Sequence, residues 1–425
     1  MENSFFKFDR KITEVAEKAM QLCKNELEKI EEIKDYNQNK MLYAFQQARA
    51  SESHLLASTG YGYGDRGREV LDDIYATVFD AQDALVRYNF VSGTHTLEVA
   101  LFGVLRPGDK MLSVTGTPYD TIHPVIGING EGDGNGNLKD FGIEYSEVAL
   151  TSDEKPDYEA IEKAISPSIK MVYIQRSRGY STRPSLTCGE IARIADIAKK
   201  KAPECIVMLD NCYGEFVEVE QPLSHGVDLM AGSLIKNPGG GIAPTGGYIA
   251  GRKDLVELCA CRLTTPATGK EIGATLGHNR ELFMGAYNAP IASCEALKTA
   301  VFASAVFELL GYEVSPRYNE KRGDIIQVIK LKSPEALVAF CKGIQKAAPI
   351  DSFVEPEPWD MPGYNCKVIM AAGAFTLGSS IELSADAPLR EPYACWMQGG
   401  INFAAGKTGV MLAAQSMLEE GLMTI

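Results

Sequence analysis

What the sequence lacks narrows it first. Ten cysteines are scattered through 425 residues without one CxxC pair, the nearest two being Cys259 and Cys261. That excludes a zinc ribbon or a disulfide frame and suits reduced thiols in a cytoplasm. The histidines His54, His95, His123, His225 and His278 show no HxH or HExxH spacing, so no metal site is expected. There is no GxSxG for a hydrolase. No apolar run approaches the roughly 18 residues that span a bilayer, and the N-terminus, MENSFFKFDRKITEVAEKAM, becomes charged too early for a signal peptide. Positive charge is short as well: 42 Lys and Arg against 56 Asp and Glu leave a formal net charge of −14. That is the wrong sign for a phosphate backbone. A cytoplasmic enzyme is expected, with a small molecule rather than nucleic acid or membrane as its partner.

What is present is ordinary globular material, 45% hydrophobic and 23% charged, enough for two or three domains. Ile12, Val15, Ala16, Ala19, Leu22, Cys23, Leu27 and Ile30 recur at the helical period, which predicts an amphipathic helix over Arg10–Ile33. Further helices are predicted over Glu69–Phe79, Thr96–Leu105, Tyr158–Ile165 and Cys188–Lys200. Apolar runs at Lys110–Val114, Lys170–Gln175, Ile206–Asp210, Leu229–Ser233 and Tyr248–Ala250 read as strands. The alternation predicts an α/β fold, a mostly parallel central sheet with helices on both faces. The Gly/Asn-rich segment Ile126–Leu138 is expected to be a hairpin tip or mobile loop. After Pro290 a helix over Ile291–Leu310, strands at Asp324–Lys330, Val368–Met370 and Ser380–Leu383, and a helix at Pro334–Ile344 suggest a smaller α+β domain. The expected division is an N-terminal helical segment, 1–55, a large domain, 56–290, and a small domain, 291–425.

Chemistry concentrates between Ile206 and Gly247. Asp210 closes one predicted strand and Lys236 follows another, and the carboxyl ends of parallel strands are where open α/β sheets place ligands. A carboxylate and a lysine so placed suit pyridoxal 5'-phosphate: the amine bonds the aldehyde and the carboxylate keeps the ring nitrogen protonated. Ser233 could reach the phosphate and Tyr213 the ring's 3-oxygen. Upstream, Ser92, Gly93 and Thr94 stand just before a helix, where backbone N–H groups and the dipole favour an anion. Tyr119, after the next strand, could stack on the pyridine. Singly, each of these residues reads as well as a turn residue, an N-cap or a packed loop tyrosine. Arg176, Arg178 and Arg183 cluster with Tyr180 after another strand, which gives that loop an anion-facing reading.

These residues sit in stretches that resemble the fold-type I pyridoxal-phosphate enzymes, and more closely their methionine γ-lyase-like branch, the aluminium-resistance or cystathionine β-lyase-related proteins. The stretches are Tyr61-Gly-Tyr-Gly-Asp-Arg66, Ser92-Gly-Thr-His-Thr, Gly116-Thr-Pro-Tyr119-Asp, Gln175-Arg-Ser-Arg-Gly-Tyr180, Asp210-Asn-Cys-Tyr213, Ser233-Leu-Ile-Lys236-Asn-Pro-Gly-Gly and Leu389-Arg-Glu-Pro-Tyr393. The resemblance implies Lys236 as the cofactor lysine, Asp210 on the ring nitrogen and Tyr119 on the ring face. Ser233 with the backbone of Gly93 and Thr94 would hold the phosphate. It also implies a homo-oligomer, dimer or tetramer, in which Tyr63 and Arg66 could reach a neighbouring subunit's phosphate. Arg390 would grip the substrate carboxylate, with Arg178 a second candidate. The implied activity is carbon–sulfur elimination, β or γ, from a sulfur-containing amino acid. There Lys236, desolvated beside cationic groups, would titrate low enough to move the α-proton, and Tyr119 would protonate the departing thiol.

Two other readings stay open. Gly62-Tyr-Gly64-Asp-Arg-Gly67 formally matches GxGxxG, the mark of a nicotinamide-dependent oxidoreductase. A cofactor-binding stress-response protein with little turnover would carry the same site residues.

Overall fold

The apolar stripe that begins at Ile12 does not stop at Ile33. Helix α1 spans Arg10–Gln47, about four turns more than its aliphatic residues advertise. Asn37 holds the stripe across the gap: it is buried, and its Nδ2 donates to the carbonyls of Phe216 (3.3 Å) and Glu218 (3.1 Å). Met41 and Ala44 then resume the buried face. The structure, a computed structural model, describes residues 5–361 and 366–425. The chain continues through α2 (Arg66–Val78), β1 (Asp83–Arg87), α3 (Gly93–Val104), β2 (Lys110–Ser113), α4 (His123–Ile126), β3 (Glu144–Glu147), α5 (Tyr158–Ala164) and β4 (Met171–Gln175). Next come α6 (Cys188–Lys201), β5 (Ile206–Asp210), β6 (Leu229–Ser233), β7 (Gly247–Gly251), α7 (Lys253–Leu263) and α8 (Asn279–Leu309).

The seven strands form one sheet in the order β1-β7-β6-β5-β4-β2-β3. β2 to β6 pair in parallel, and β7 runs antiparallel to both its neighbours. Alternate side chains of β5 enter different cores. Val207 and Leu209 pack with Ile191 and Ile194 of α6, while Ile206 and Met208 join Val99 of α3 and Val256 of α7. Helices therefore cover both faces, as a buried parallel sheet requires. This is the mixed, mostly parallel sheet expected.

The chain separates into two compact units, one of residues 36–290 and one of residues 1–35 with 291–425. The segment 1–55, expected as one N-terminal piece, is divided between them, because α1 contributes its first part to one unit and its last part to the other. The smaller unit carries β8 (Glu313–Ser315), β9 (Gln327–Lys330), α9 (Pro334–Lys346), β10 (Val368–Ala371), β11 (Ser384–Pro388), β12 (Ala394–Gln398) and α10 (Phe403–Glu419). Its sheet, ordered β10-β11-β12-β9-β8, is antiparallel throughout.

Four local expectations need correction. Ser380–Leu383 is not a strand; β11 begins at Ser384. Strands β1 and β3 carried no clear apolar signal, and three of the four residues of β3 are exposed. Segment 126–138 is not a hairpin tip: it links α4 towards β3 as successive turns, with the Asp140 carboxylate accepting from Gly134, Gly136 and Asn137 N–H. The helix predicted from Ile291 starts at Asn279 and carries Pro290 inside it, and it is apolar enough to pass a length-and-hydropathy test for a membrane span. Its most apolar 18-residue window is 89% buried, the pattern of a core helix.

Candidate active site

In the larger unit, five loops leave the carboxyl ends of β1, β2, β4, β5 and β6 and bring the sequence-predicted residues together. Ser92 is the N-cap of α3, and its Oγ accepts from His95 N at 3.0 Å. Gly93 opens the first turn, where backbone N–H groups have no partner within the helix. A Cβ on Gly93 would lie 3.3 Å from Ser233 Cβ and 3.9 Å from Cys212 Sγ. The α3 N-terminus is thus packed closely against the end of β6, where even a methyl group would make Ser233 give by a few tenths of an ångström. Ser233 Oγ is buried there with no hydrogen-bond partner. A buried hydroxyl left unsatisfied costs free energy unless a ligand completes it. Thr94 pairs its hydroxyl with Thr121 at 2.9 Å.

Lys236 follows β6 at the entry to a short turn over Asn237–Gly239. Its Nζ sits 4.0 Å from the centre of the Tyr213 ring. Among the described residues no carboxylate forms an ion pair with it. Asn237 locks the two loops together, donating from Nδ2 to the carbonyls of Tyr213 (3.1 Å) and Glu215 (3.0 Å). Asp210, buried at the end of β5, accepts from Cys212 N at 3.1 Å. Burial pushes its carboxyl above the usual range, and Lys236 and the Cys212 N–H pull it back.

The charge around Lys236 is opposite to the expectation of cationic neighbours. Burial alone would lower its affinity for a proton, but Cys212, Tyr213, Asp210 and Glu215 outweigh burial and hold the ammonium form up. Cys212 is itself pushed up by burial, so near neutrality it is an uncharged thiol and the carboxylates carry the effect.

Tyr119 is held at the neighbouring strand ends. Its backbone N donates to Gln175 Oε1 at 2.6 Å, and its ring meets Tyr180 edge-on at 5.6 Å. The anion-facing reading fails for two of the three arginines. Arg176 donates to Leu186 O (3.2 Å), Asn211 Oδ1 (2.9 Å) and Glu218 (2.6 Å). Arg183 reaches the carbonyls of Gln175 (2.8 Å) and Ser177. Both guanidiniums tie loops together. Arg178 is equally buried, and its carbonyl accepts from Ser181 N at 3.1 Å.

The remaining predicted residues, Tyr63, Arg66 and Arg390, have surroundings of their own. Tyr63 is exposed and stacked on Tyr61 with ring centres 5.6 Å apart, and Arg66 is exposed at the start of α2. Arg390 belongs to the smaller unit, exposed in the turn between β11 and β12. The GxGxxG stretch is preceded by a single turn over Glu52–Leu55 rather than a strand, since β1 comes only after α2. The strand-turn-helix unit that motif needs is missing, and the nicotinamide reading falls with it.

Sequence reasoning missed Glu215. It is wholly buried, accepts from Tyr248 OH at 2.8 Å and has no partner on Oε2. Its only sequence signal is an acidic residue five positions beyond Asp210, between apolar neighbours.

A mostly parallel sheet with helices on both faces, bringing a helix N-terminus, a carboxylate and a lysine to one end, matches the fold-type I pyridoxal-phosphate enzymes. Within it, the chain belongs to the methionine gamma-lyase family, whose model matches residues 12–418. The solved structure of a carbon-sulfur lyase involved in aluminum resistance from Clostridium novyi NT is 51% identical, with a TM-score of 0.92 over 96% of each chain. The uncharacterized protein YnbB of Bacillus subtilis (strain 168) is 47% identical over 394 residues, 93% of this chain and 93% of its own. At 14% identity the pyridoxal-5'-phosphate dependent protein YhfS of Escherichia coli shares the fold alone, with a TM-score of 0.62 over 92% of this chain and 97% of that one.

Proposed function

We propose that the protein is a pyridoxal-phosphate-dependent carbon–sulfur lyase, cytoplasmic and homo-oligomeric, that eliminates a thiol from a sulfur-containing amino acid. The observation that carries this is Ser233 Oγ, buried against Gly93 at the α3 N-terminus, three residues before Lys236 and, among the described residues, without a hydrogen-bond partner. That cradle suits a phosphate: the α3 N-terminus offers N–H donors and a favourable dipole, and Ser233 adds a hydroxyl. Asp210 suits a protonated ring nitrogen, because an adjacent cation stabilises a carboxylate that burial destabilises.

When bound, pyridoxal phosphate supplies an electron sink for the bonds at the substrate's α-carbon. The chain supplies position and protons. Ser92, Gly93, Thr94 and Ser233 would hold the phosphate end, and Asp210 the ring nitrogen. Tyr213, whose ring lies 4.0 Å from Lys236 Nζ, would hydrogen-bond the ring's 3-oxygen. Lys236 would carry the cofactor and, as a free amine, hold and move the substrate's α-proton. Tyr119 would face the ring and give its proton to the leaving sulfur. Arg390 and Arg178 would receive the substrate carboxylate, and Tyr63 and Arg66 would serve the phosphate of a neighbouring subunit.

β-Elimination from cystathionine or cysteine asks Lys236 for one proton transfer, whereas γ-elimination from methionine asks for a second at the β-carbon. The test is to incubate the cofactor-loaded protein with methionine, cystathionine and cysteine while assaying 2-oxobutyrate and pyruvate separately. Release of either oxo acid, lost in Lys236→Ala, is the expected result. A loaded protein that binds these amino acids and releases neither is a binder with little turnover, and the lyase reading fails.

A further inference from the structure

Behind Asp210 and Lys236 runs a buried polar chain that the proposed reaction does not use. Glu218 accepts from Arg176, Arg176 donates to Asn211 Oδ1, Asn211 Nδ2 donates to Tyr248 OH at 3.1 Å, and Tyr248 OH donates to Glu215 Oε1. The chain ends in a buried acceptor, Glu215 Oε2, that has no hydrogen-bond partner among the described residues. Its position is enforced. Gly232 pairs with Tyr248 across β6 and β7, and a Cβ on Gly232 would lie 2.4 Å from Glu215 Oε1 and 2.5 Å from the Tyr248 ring. Only glycine lets a carboxyl press against β6 one residue before Ser233. Asn237, the residue after Lys236, holds the Glu215 carbonyl.

We propose that Glu215 is a positioning residue that sets the charge of Lys236, ionised while the lysine is an ammonium and protonated when the amine is needed uncharged. The proton balance is simple: one proton leaves Nζ and one is bound by the Glu215 carboxylate. An ammonium beside a carboxylate and a neutral amine beside a carboxylic acid have the same net charge. The second arrangement leaves no ion to desolvate in a buried site. The groups that face Glu215 are Lys236 on the β6 loop, Cys212 on the β5 loop, Tyr248 on β7, Arg176 on the β4 loop and Tyr75 on α2. Burial pushes the Glu215 carboxyl up to about 7, against the pull of Tyr248, Lys236 and Arg176. At that value the carboxyl changes charge near neutral pH, and each change alters the field that holds the Lys236 ammonium.

The inference rests on Lys236 as the cofactor lysine, and the experiment separates the two ideas. Infrared difference titration of the cofactor-free protein should show a protonated carboxyl disappearing near neutrality in the wild type, and the signal should be missing in Glu215→Gln. In Lys236→Met the same titration should move up by about one pH unit, a tenfold change, because the cation that stabilises the carboxylate has gone. Reciprocally, the pH midpoint for capture of added pyridoxal phosphate should move down by about as much in Glu215→Gln. If Glu215→Gln does not fold, Tyr248→Phe removes one donor to the carboxylate and should also move the infrared midpoint up. A titration unmoved by Lys236→Met, or capture profiles that superimpose, would overturn the inference. A Lys236→Met protein that still forms a borohydride-sensitive visible band would overturn the cofactor reading and leave the Glu215–Lys236 coupling standing.

Discussion

Two lysines of this chain stand near two carboxylates and a cysteine, and they are used differently. Lys298, in the smaller unit, is ion-paired with Glu295 at 2.8 Å and with Glu31. Cys294 lies beside them, its thiol pushed up to about 12 by burial. That group has the ligand types of a metal site, but the ammonium already neutralises the acids, and α1 and α8 are tied together by it. Lys236 has Asp210, Glu215 and Cys212 around it, yet among the described residues no carboxylate forms an ion pair with it, and Ser233 Oγ and Glu215 Oε2 have no hydrogen-bond partner there. A complete network contributes to folding, whereas an incomplete one among buried groups costs stability and marks a place that something else completes. Composition alone would rank the two clusters as equals.

The comparison can be tested from either side. Lys236→Ala should abolish turnover, a loss of at least about 100-fold from proton transfer alone, while Lys298→Ala should leave the cofactor band and kcat close to wild type. Steady-state rates and absorbance spectra check both. Arg390→Ala should raise the substrate KM by an amount worth about 2–5 kcal/mol if the guanidinium meets a buried carboxylate. Arg390→Lys should recover little, because the ammonium lacks the bidentate fork. An unchanged KM would move attention to Arg178. Ser233→Ala should weaken cofactor binding by about 1.5–3 kcal/mol, one hydrogen bond to a charged group, measured by equilibrium titration of the visible band. Lys298→Ala should lower unfolding stability by about 1–3 kcal/mol, read from the urea midpoint.

The smallest effect is a pH slope. Glu215 titrates at about 7 when folded against an ordinary value of 4.5, so between those values the folded chain binds more protons than the unfolded one. Its contribution to stability is therefore present below pH 4.5 and is lost as pH rises to about 7. Urea midpoints of the cofactor-free protein should show that fall, flattened in Glu215→Gln.

Much of the larger sheet could be read from the chain because β2, β4, β5, β6 and β7 are short, almost wholly buried runs with consecutive apolar residues at their centres. Asp210 and Lys236 were legible for the same reason: a charged residue at the end of an apolar run is conspicuous. β3 was not legible because an edge strand need not bury its residues, and Glu144, Ser146 and Glu147 are exposed. The second half of α1 was hidden because a polar residue, Asn37, fills an apolar position. Glu215 depends on a pairing that no local pattern announces, Gly232 against Tyr248 across an antiparallel strand. The sign of the charge around Lys236 was not legible because the groups that set it, Asp210, Cys212, Tyr213 and Glu215, lie more than 20 residues away in sequence and reach it only through the packing of the strand-end loops.

The place of β7 also governs when the site can come into being. β1 is an edge strand, and its one neighbour in the sheet is β7, with Leu85 opposite Ile249. That closure joins segments far apart in the chain, the kind of contact that is slow to form. During synthesis β1 and the start of α3 emerge long before β7 and β6, so until Gly251 has emerged β1 stays unpaired and the α3 N-terminus has no fixed place beside Ser233. The strand-end cluster is therefore assembled late, only after about three fifths of the chain has been made.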